Sequence, residues 1–310
     1  MGTNASPVEP PLVAERPRVG AAIAVHNGRE FLRRCLDSGS EQWAVAVVLD
    51  DGSTDGTQEM LRAEYPDTIV VQGDGEHWWT AGTNRAIEGC MSARCDYALL
   101  LNPDVVLFPD TVEQLLAAAQ GSKDGVFASL VLNSGDPSKI WWAGSTWRRI
   151  APWIPIMTSR YLYPSGTDVA DLPVEPFPSD EAHGRAVLIP MALFERFGLF
   201  DEEHLPHYGA DVDFSLRLRA AQVPIHIVPR ARVTLEVDNS GHTATTTSVS
   251  ERLRSIWRFL TDQKSGDAVR IWWHLTRRHA PLGTRNLTYT FILSLNILRR
   301  LGVRRRVPKR

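Results

Sequence analysis

Three short stretches place carboxylates where apolar runs stop. "VVLDDGSTDGT" (47–57) ends on Asp50 and Asp51 and turns at once through Gly52-Ser53-Thr54. A carboxylate at such a strand end can accept hydrogen bonds from a ring N–H or a ribose hydroxyl. Asp51, Ser53 and Asp55 also suit a turn or a cap, and for Asp55 the cap is the better account. "LLLNPDVVLFPD" (99–110) breaks on Asn102-Pro103-Asp104. A carboxylate held there by a proline suits a hard cation such as Mg²⁺ or Mn²⁺, although the tripeptide taken alone reads as a plain Asn-Pro turn. "HYGADVDFSLRLRAA" (207–221) sets Asp211 and Asp213 at a helix start, where negative charge is favoured. Asp213 and Arg217 have the i,i+4 spacing of a surface ion pair. Asp211 has no such partner and is the candidate general base.

Other chemistries lack their signatures. No G-x-G-x-x-G follows the first apolar run, and there is no phosphate-binding P-loop. No G-x-S-x-G nucleophile elbow is present.

The elements that must carry these carboxylates are legible from periodicity. Apolar runs at 19–25, 44–50, 68–72, 96–102 and 125–132 read as buried strands. They alternate with helical patterns at 30–39, 55–66, 80–93 and 109–121, which implies a sheet covered by helices on both faces. In such sheets ligands bind outside the carboxyl ends of the strands. That rule gathers His26-Asn27, Asp50–Asp55 and Asn102–Asp104 on one rim. From 133 to 180 the pattern weakens, and Trp141, Trp142, Trp147 and Trp153 sit among Pro and Gly as an irregular insertion. Regular structure is expected again over 186–202 and 211–222, with strands at 224–229 and 232–237. Three helices follow, over 248–263, 267–278 and 286–301.

The ordered set of a D-D-G-S-x-D loop, an x-x-D loop and a distant "GLFDE…YGADVDFSLRLR" segment resembles the family 2 inverting glycosyltransferases, rhamnosyltransferase-like members included. The resemblance covers about residues 18–235. It implies an α/β, GT-A-type single Rossmann-like domain with a central, mostly parallel sheet and a C-terminal helical extension. The corresponding boundaries are a disordered tail over 1–17, the glycosyltransferase domain over 18–245 and a basic helical extension over 246–310. By motif matching, Val25, His26, Asn27, Asp50, Asp51 and Ser53 would hold the base and ribose of a UDP- or dTDP-linked sugar. Gly82 and Asn84 match a Gly-x-Asn pair beside the nucleotide. Asn102 and Asp104 match a D-x-D motif, with Asp104 on the metal, Mg²⁺ or Mn²⁺. Gly184 matches a small residue beside the donor sugar, and Asp211 matches the base.

This sequence departs from the family pattern at several points. Asn102 replaces the first Asp of D-x-D, and Ala210 replaces the acid before the base. The family often places a metal-binding His after the last strand; Leu235 stands near that place, and His242 is the nearest substitute. Trp78 and Trp79 replace a glycine-rich approach and either wall a sugar or acceptor pocket, with Trp142 and His207, or simply pack. The implied reaction is a single displacement onto a hydroxyl of a glycan or lipid-linked acceptor in cell-envelope polysaccharide synthesis. The departures support an alternative, a sugar-nucleotide-binding protein of the same fold with weakened catalysis. A nucleotidyltransferase would need a glycine-rich phosphate loop that "VHNGRE" does not supply.

Composition adds bounds. The net charge of the 310 residues is −2, but eleven Arg and Lys and no acid follow Asp267, leaving 23 basic against 36 acidic residues before that point. The stretch 287–310, apolar and then Arg-rich, suits an anionic membrane surface, or else packs on the domain or in a homodimer. It is too short to span a bilayer. An acidic body without a reader motif argues against nucleic acid. Cys35, Cys90 and Cys95 show no metal spacing and imply a reducing compartment, consistent with a cytoplasmic protein, peripheral on the inner membrane face if the tail docks there. Met1–Ser6 matches the short N-myristoylation pattern, which arises often by chance.

Overall fold

The computed structural model describes residues 16–122, 124–151, 154–236, 250, 254, 256–257 and 269–301. The apolar runs form strands β1 (Val19–Val25), β2 (Val45–Asp50), β3 (Ile69–Gln72) and β4 (Tyr97–Leu101), all parallel in the order β3-β2-β1-β4. Every residue of β1 is buried, as a central strand covered on both faces requires. Helices α1 (Arg29–Gly39), α2 (Thr57–Glu64) and α3 (Trp78–Ser92) connect them.

Beyond β4 the sheet becomes mixed. Short β5 (Val105–Leu107) leaves the Asn102–Asp104 turn, and α4 (Thr111–Gln120) leads to β6 (Val126–Leu132). Strand β11 (Val187–Pro190) lies between β4 and β6 and runs antiparallel to both. Val187 pairs with Leu100, so the residues just before β11 lie at the carboxyl end of β4. An antiparallel strand thus enters the sheet at the rim where the parallel strands leave it. The two strands expected over 224–229 and 232–237 are one, β12 (Ile225–Leu235), whose register shifts between Val228 and Arg232.

The insertion is more regular than its sequence suggests. Strand β7 (Ile140–Trp142) pairs with β6, β8 (Ser145–Ala151) and β9 (Ile154–Tyr161) form a separate antiparallel pair, and β10 (Phe177–Ser179) joins the edge of β12. Trp142 and Trp147 are buried there. Helices α5 (Met191–Phe197) and α6 (Ala210–Ala220) precede β12. Helices α7 (Val269–His279) and α8 (Arg285–Arg300) pack on each other, and α8 also meets β9. No helix among the described residues is long and apolar enough to cross a membrane. Most of the helix expected over 248–263, together with Trp153, lies outside the described residues.

Candidate active site

The first two rim loops are stitched into one floor. Asn27 takes the left-handed conformation (φ 51°), which a short polar side chain tolerates. Its N–H donates to Ser53 Oγ at 2.9 Å, and its Oδ1 accepts from the Thr54 N–H at 2.8 Å. His26 Nδ1 lies 2.6 Å from the Asp51 carbonyl and its Nε2 lies 2.9 Å from Asn27 Nδ2. The imidazole therefore donates from Nδ1 and accepts at Nε2. Asp55 accepts the N–H groups of Arg29 and Thr57 as a turn residue; the N-cap of α2 is Gly56, which has no side-chain cap bond, so Asp55 is not the cap its position suggests. Asp50 ends β2 beside Val25, buried, and accepts the Ser53 N–H at 3.1 Å.

Asp51 is differently engaged. Its carboxylate accepts backbone N–H groups from Gly75 (2.9 Å), His77 (3.1 Å) and Trp78 (3.1 Å), and His77 Nδ1 lies 3.2 Å away. Those bonds fasten the loop between β3 and α3 and hold Trp78 at φ 56°, an unusual conformation for a bulky residue. Asp51, Asp74 and His77 sit close enough to share a cation, but Asp51's oxygens are already committed to backbone donors. Asp50, with one bond, is the freer of the two for a ligand.

Gly82 and Asn84 face packing contacts rather than the open rim. A Cβ on Gly82 would lie 2.8 Å from Leu49 Cδ2 and 2.9 Å from Ala24 Cβ, so the glycine sets how closely α3 approaches the sheet. Asn84 is buried; its amide donates to Phe200 O and Glu202 and accepts the Phe200 N–H. Gly82→Ala is therefore expected to lower stability. Helix propensity would gain about 1 kcal/mol, but overpacking against a backbone-fixed Cβ costs roughly 1–3 kcal/mol. Thermal unfolding checks this, and a lower donor affinity at unchanged stability would return Gly82 to the ligand.

The Asn102–Asp104 turn meets the entry to β11. Trp79 Nε1–H donates to Asn102 Oδ1 at 2.8 Å. Gly184 lies under the same indole: a Cβ there would come within 2.7 Å of Trp79 and 3.7 Å of Asn102 Oδ1. The turn is pinned to the end of β12 by the Glu236 N–H on the Asp104 carbonyl, 2.8 Å. Asp104 Oδ1 is buried with no hydrogen-bond partner among the described residues. Burial pushes the Asp104 carboxyl above its ordinary range, and the nearby Arg185 only partly opposes that. A buried carboxylate oxygen without a donor is the group a hard cation would satisfy, so Asp104 fits a divalent ion. Asn102, already holding Trp79, supplies at most its remaining lone pair. His242 lies outside the described residues.

Asp211 opens α6, which starts at Gly209 (φ 84°) without a side-chain cap. One carboxylate oxygen accepts the Val212 N–H at 2.8 Å. With Gly184, Ala182, Phe214 and Ser215 it lines a cavity of about 10 Å³, room for one water. Gly184 thus shares a cavity wall with Asp211, and its Cβ position lies near Asn102 of the turn. Asp213 is not the surface ion pair its spacing suggests. It is fully buried (0 % exposed) and held by Arg217, Arg278 and His279, so it has no access to a substrate.

The aromatic candidates divide. Trp78 and His207 meet edge to face at 5.9 Å, and His207 meets the exposed Tyr208 at 4.3 Å. The loop that carries them is tied to α3 by Thr80, whose N–H and hydroxyl donate to Pro206 O and Leu205 O. Trp142, by contrast, cannot wall an open pocket. It is 1 % exposed, donates to Ser145 Oγ and stacks on His183 at 4.6 Å. A tryptophan among Pro and Gly gives no sign in sequence of which strand will cover it.

Arg185 was not singled out from the sequence. It follows Gly184 directly, lies near Asp104, and stacks over Trp141 at 4.5 Å. The cue available was a cation beside the small residue in "HGRAVLIP", too short to carry a period.

Comparison with known proteins adds independent findings. Residues 21–174 match the model of Glycosyl transferase family 2. The chain is 26% identical over 266 residues to an N-acetylglucosaminyl-diphospho-decaprenol L-rhamnosyltransferase of Mycobacterium tuberculosis, covering 78% of this chain and 81% of that protein. It is 23% identical over 189 residues to the low-salt glycan biosynthesis hexosyltransferase Agl10 of Haloferax volcanii, covering 58% of this chain and 54% of that one. In structure it is similar to GalNAc-T7, crystallised with UDP, GalNAc and Mn²⁺, with a TM-score of 0.58 at 16% identity. That match covers 96% of this chain, which spans 59% of that structure, and it supports the GT-A architecture alone.

Proposed function

The chain belongs to glycosyl transferase family 2, and on that premise we propose that it moves a sugar from a nucleotide-diphosphate donor to a hydroxyl of a glycan or lipid-linked acceptor, with inversion. The observation that carries this is that Gly184 neighbours both Asp211, with which it lines a cavity, and Asn102 of the Asn102–Asp104 turn. A general base and a diphosphate-side carboxylate must flank the reacting carbon from opposite sides, and a residue without a side chain leaves space between them.

The steps follow from the chain's own groups. The floor of His26, Asn27 and Ser53 with Asp50 receives the nucleoside. Asp104 would hold a divalent cation, which when bound offsets charge on the departing diphosphate. Arg185 is a fixed positive group beside the same place. Asp211 takes the acceptor's hydroxyl proton on the oxygen not bonded to Val212. The acceptor oxygen then bonds to the anomeric carbon as the bond from that carbon to the diphosphate breaks.

The mycobacterial relative's name describes L-rhamnosyl transfer to a lipid-linked acceptor, which supports a deoxyhexose and a lipid diphosphate here. The exposed Leu287 and Leu298 of the C-terminal helix and Leu301 just after it, followed in sequence by Arg304–Arg306, are what an anionic membrane surface would meet. Thr290 and Ser294 interrupt that face, and a second copy of the chain is the other candidate to cover it.

A second interpretation, binding without turnover, is favoured by one observation, the bond from Trp79 that occupies Asn102 Oδ1. Calorimetric titration with UDP-, dTDP- and GDP-sugars, with and without Mn²⁺, tests the proposal. One donor class is expected to bind, more tightly with the metal, and to turn over once an acceptor is supplied. Binding to none of them would sink both interpretations.

A further inference from the structure

Helix α7 contacts the first turn of α6 on both sides of Asp211 in sequence. On one side is Gly209, where a Cβ would lie 2.8 Å from Ile271 Cγ2 and 3.8 Å from Leu275 Cδ1. Ile271 and Leu275 are buried against this turn. On the other side is Asp213, whose Oδ1 lies 2.7 Å from His279 Nε2 and whose Oδ2 lies 3.3 Å from Arg278 Nη1. The same Arg278 nitrogen lies 3.0 Å from Asp201, at the start of the loop that leads into α6. His274, stacked on His204 at 4.6 Å, approaches Asp201 as well.

The turn needs such support. It has no side-chain cap, and its first residue is a left-handed glycine that restrains the backbone little. Arg217 reaches Asp213 from within α6 itself, at 3.0 Å, and also bonds the carbonyls of Phe197 and Leu199. It therefore fixes the helix to the chain before it. Among the described residues, α7 couples both Gly209 and Asp213 to a separate element. A base must be held to within a fraction of an ångström of its proton donor, and the side chains that lock it are as much a part of the site as the base.

We propose that helix α7 is the positioning element for Asp211, acting through His279 and Arg278 on Asp213 and through Ile271 on Gly209. The C-terminal segment is then part of the acceptor-side machinery and not only a basic appendage. This rests on Asp211 as the base, so the test has one arm that needs no activity.

The experiment compares full-length wild type, His279→Ala, His279→Gln and Leu61→Ala. Leu61 is buried in α2, away from this turn, and its variant controls for lost stability. Hydrogen exchange at the amides of 211–215 is expected to rise in His279→Ala, to return towards wild type in His279→Gln, and to be unchanged in Leu61→Ala. With the donor and acceptor that wild type turns over, kcat is expected to fall at least tenfold in His279→Ala. KM for the donor should stay within twofold. Should His279→Ala fail to fold, Arg278→Ala makes the same comparison, since it leaves His279 and Arg217 on Asp213. Wild-type exchange at 211–215 in the folded variant would overturn the proposal, as would an equal loss of kcat in Leu61→Ala. If Asp211→Asn keeps normal turnover, the base assignment is what fails, and the exchange arm still decides whether α7 fixes the turn.

Discussion

Asp211→Asn is expected to lower turnover by roughly 10²–10⁴-fold, the usual contribution of a positioned general base, while donor affinity stays within twofold. The substitution is nearly isosteric. An asparagine oxygen can still accept the Val212 N–H that Asp211 accepts at 2.8 Å, so the start of α6 is preserved. What is lost is the second oxygen's capacity to take a proton. In the proposed arrangement the donor contacts the floor and the Asn102–Asp104 turn rather than Asp211, so its affinity is expected to stay unchanged. Initial rates and calorimetry on the same preparation separate the two effects. Normal turnover in the variant would remove Asp211 from the mechanism. Asp213 is no substitute for it, because that carboxylate is enclosed by Arg217, Arg278 and His279.

The second large effect has opposite signs in two assays. Asp104→Asn should raise the melting temperature of the metal-free protein and weaken donor binding in Mn²⁺ at least tenfold. Asp104 Oδ1 is buried without a donor, and a charge held that way destabilises the fold. Arg185 offsets part of the cost, but burial outweighs it, because the carboxyl sits on balance above its ordinary pKa range. Replacing the charge with an amide relieves more than the loss of Arg185's partner costs. Each 1 kcal/mol regained is worth about 2–4 °C in a domain of this size. The same change removes the carboxylate that, on the proposed reading, would hold the cation. Thermal melts and Mn²⁺-dependent titration read the two effects independently. A variant that is stabilised yet binds donor normally in Mn²⁺ would show Asp104 to be a buried charge with no cation role.

The sequence revealed most where periodicity is strong and local. Strands β1 to β4 and their helices are legible because each strand is a continuous apolar run bounded by polar turns, and a parallel sheet covered on both faces demands that pattern. The direction of β11 is not legible, since "VLIP" reads the same whether it runs with its neighbours or against them. That direction places Gly184 and Arg185 on the rim. Spacing identified the Asp213–Arg217 pair but not its burial, because the elements that enclose it, α7 above all, lie more than 50 residues away in sequence. Asp51 shows the complementary limit. Its position after Asp50 suggests a ligand, yet its oxygens are spent on three backbone N–H groups that no local pattern announces. Trp142 illustrates the same point from the apolar side, its burial being decided by the pairing of β7 with β6.

The antiparallel entry of β11 bears on how far this chain can be recombined with its relatives. The match to the family model ends at residue 174, before β11, α6 and β12. In sequence that end invites a module boundary, with donor binding on one side and acceptor chemistry on the other. In the sheet no such boundary exists. β11 fills the gap between β4 and β6, and β6 takes its other long neighbour from β12. A segment cut at 174 would leave β4 and β6 each with an unpaired edge and an unfilled strand's width between them. A chimera that exchanges β11 or β12 must therefore exchange the whole span from β4 through β12, and with it the Asn102–Asp104 turn. If the proposed roles hold, acceptor choice and the carboxylate of Asp104 are inherited together.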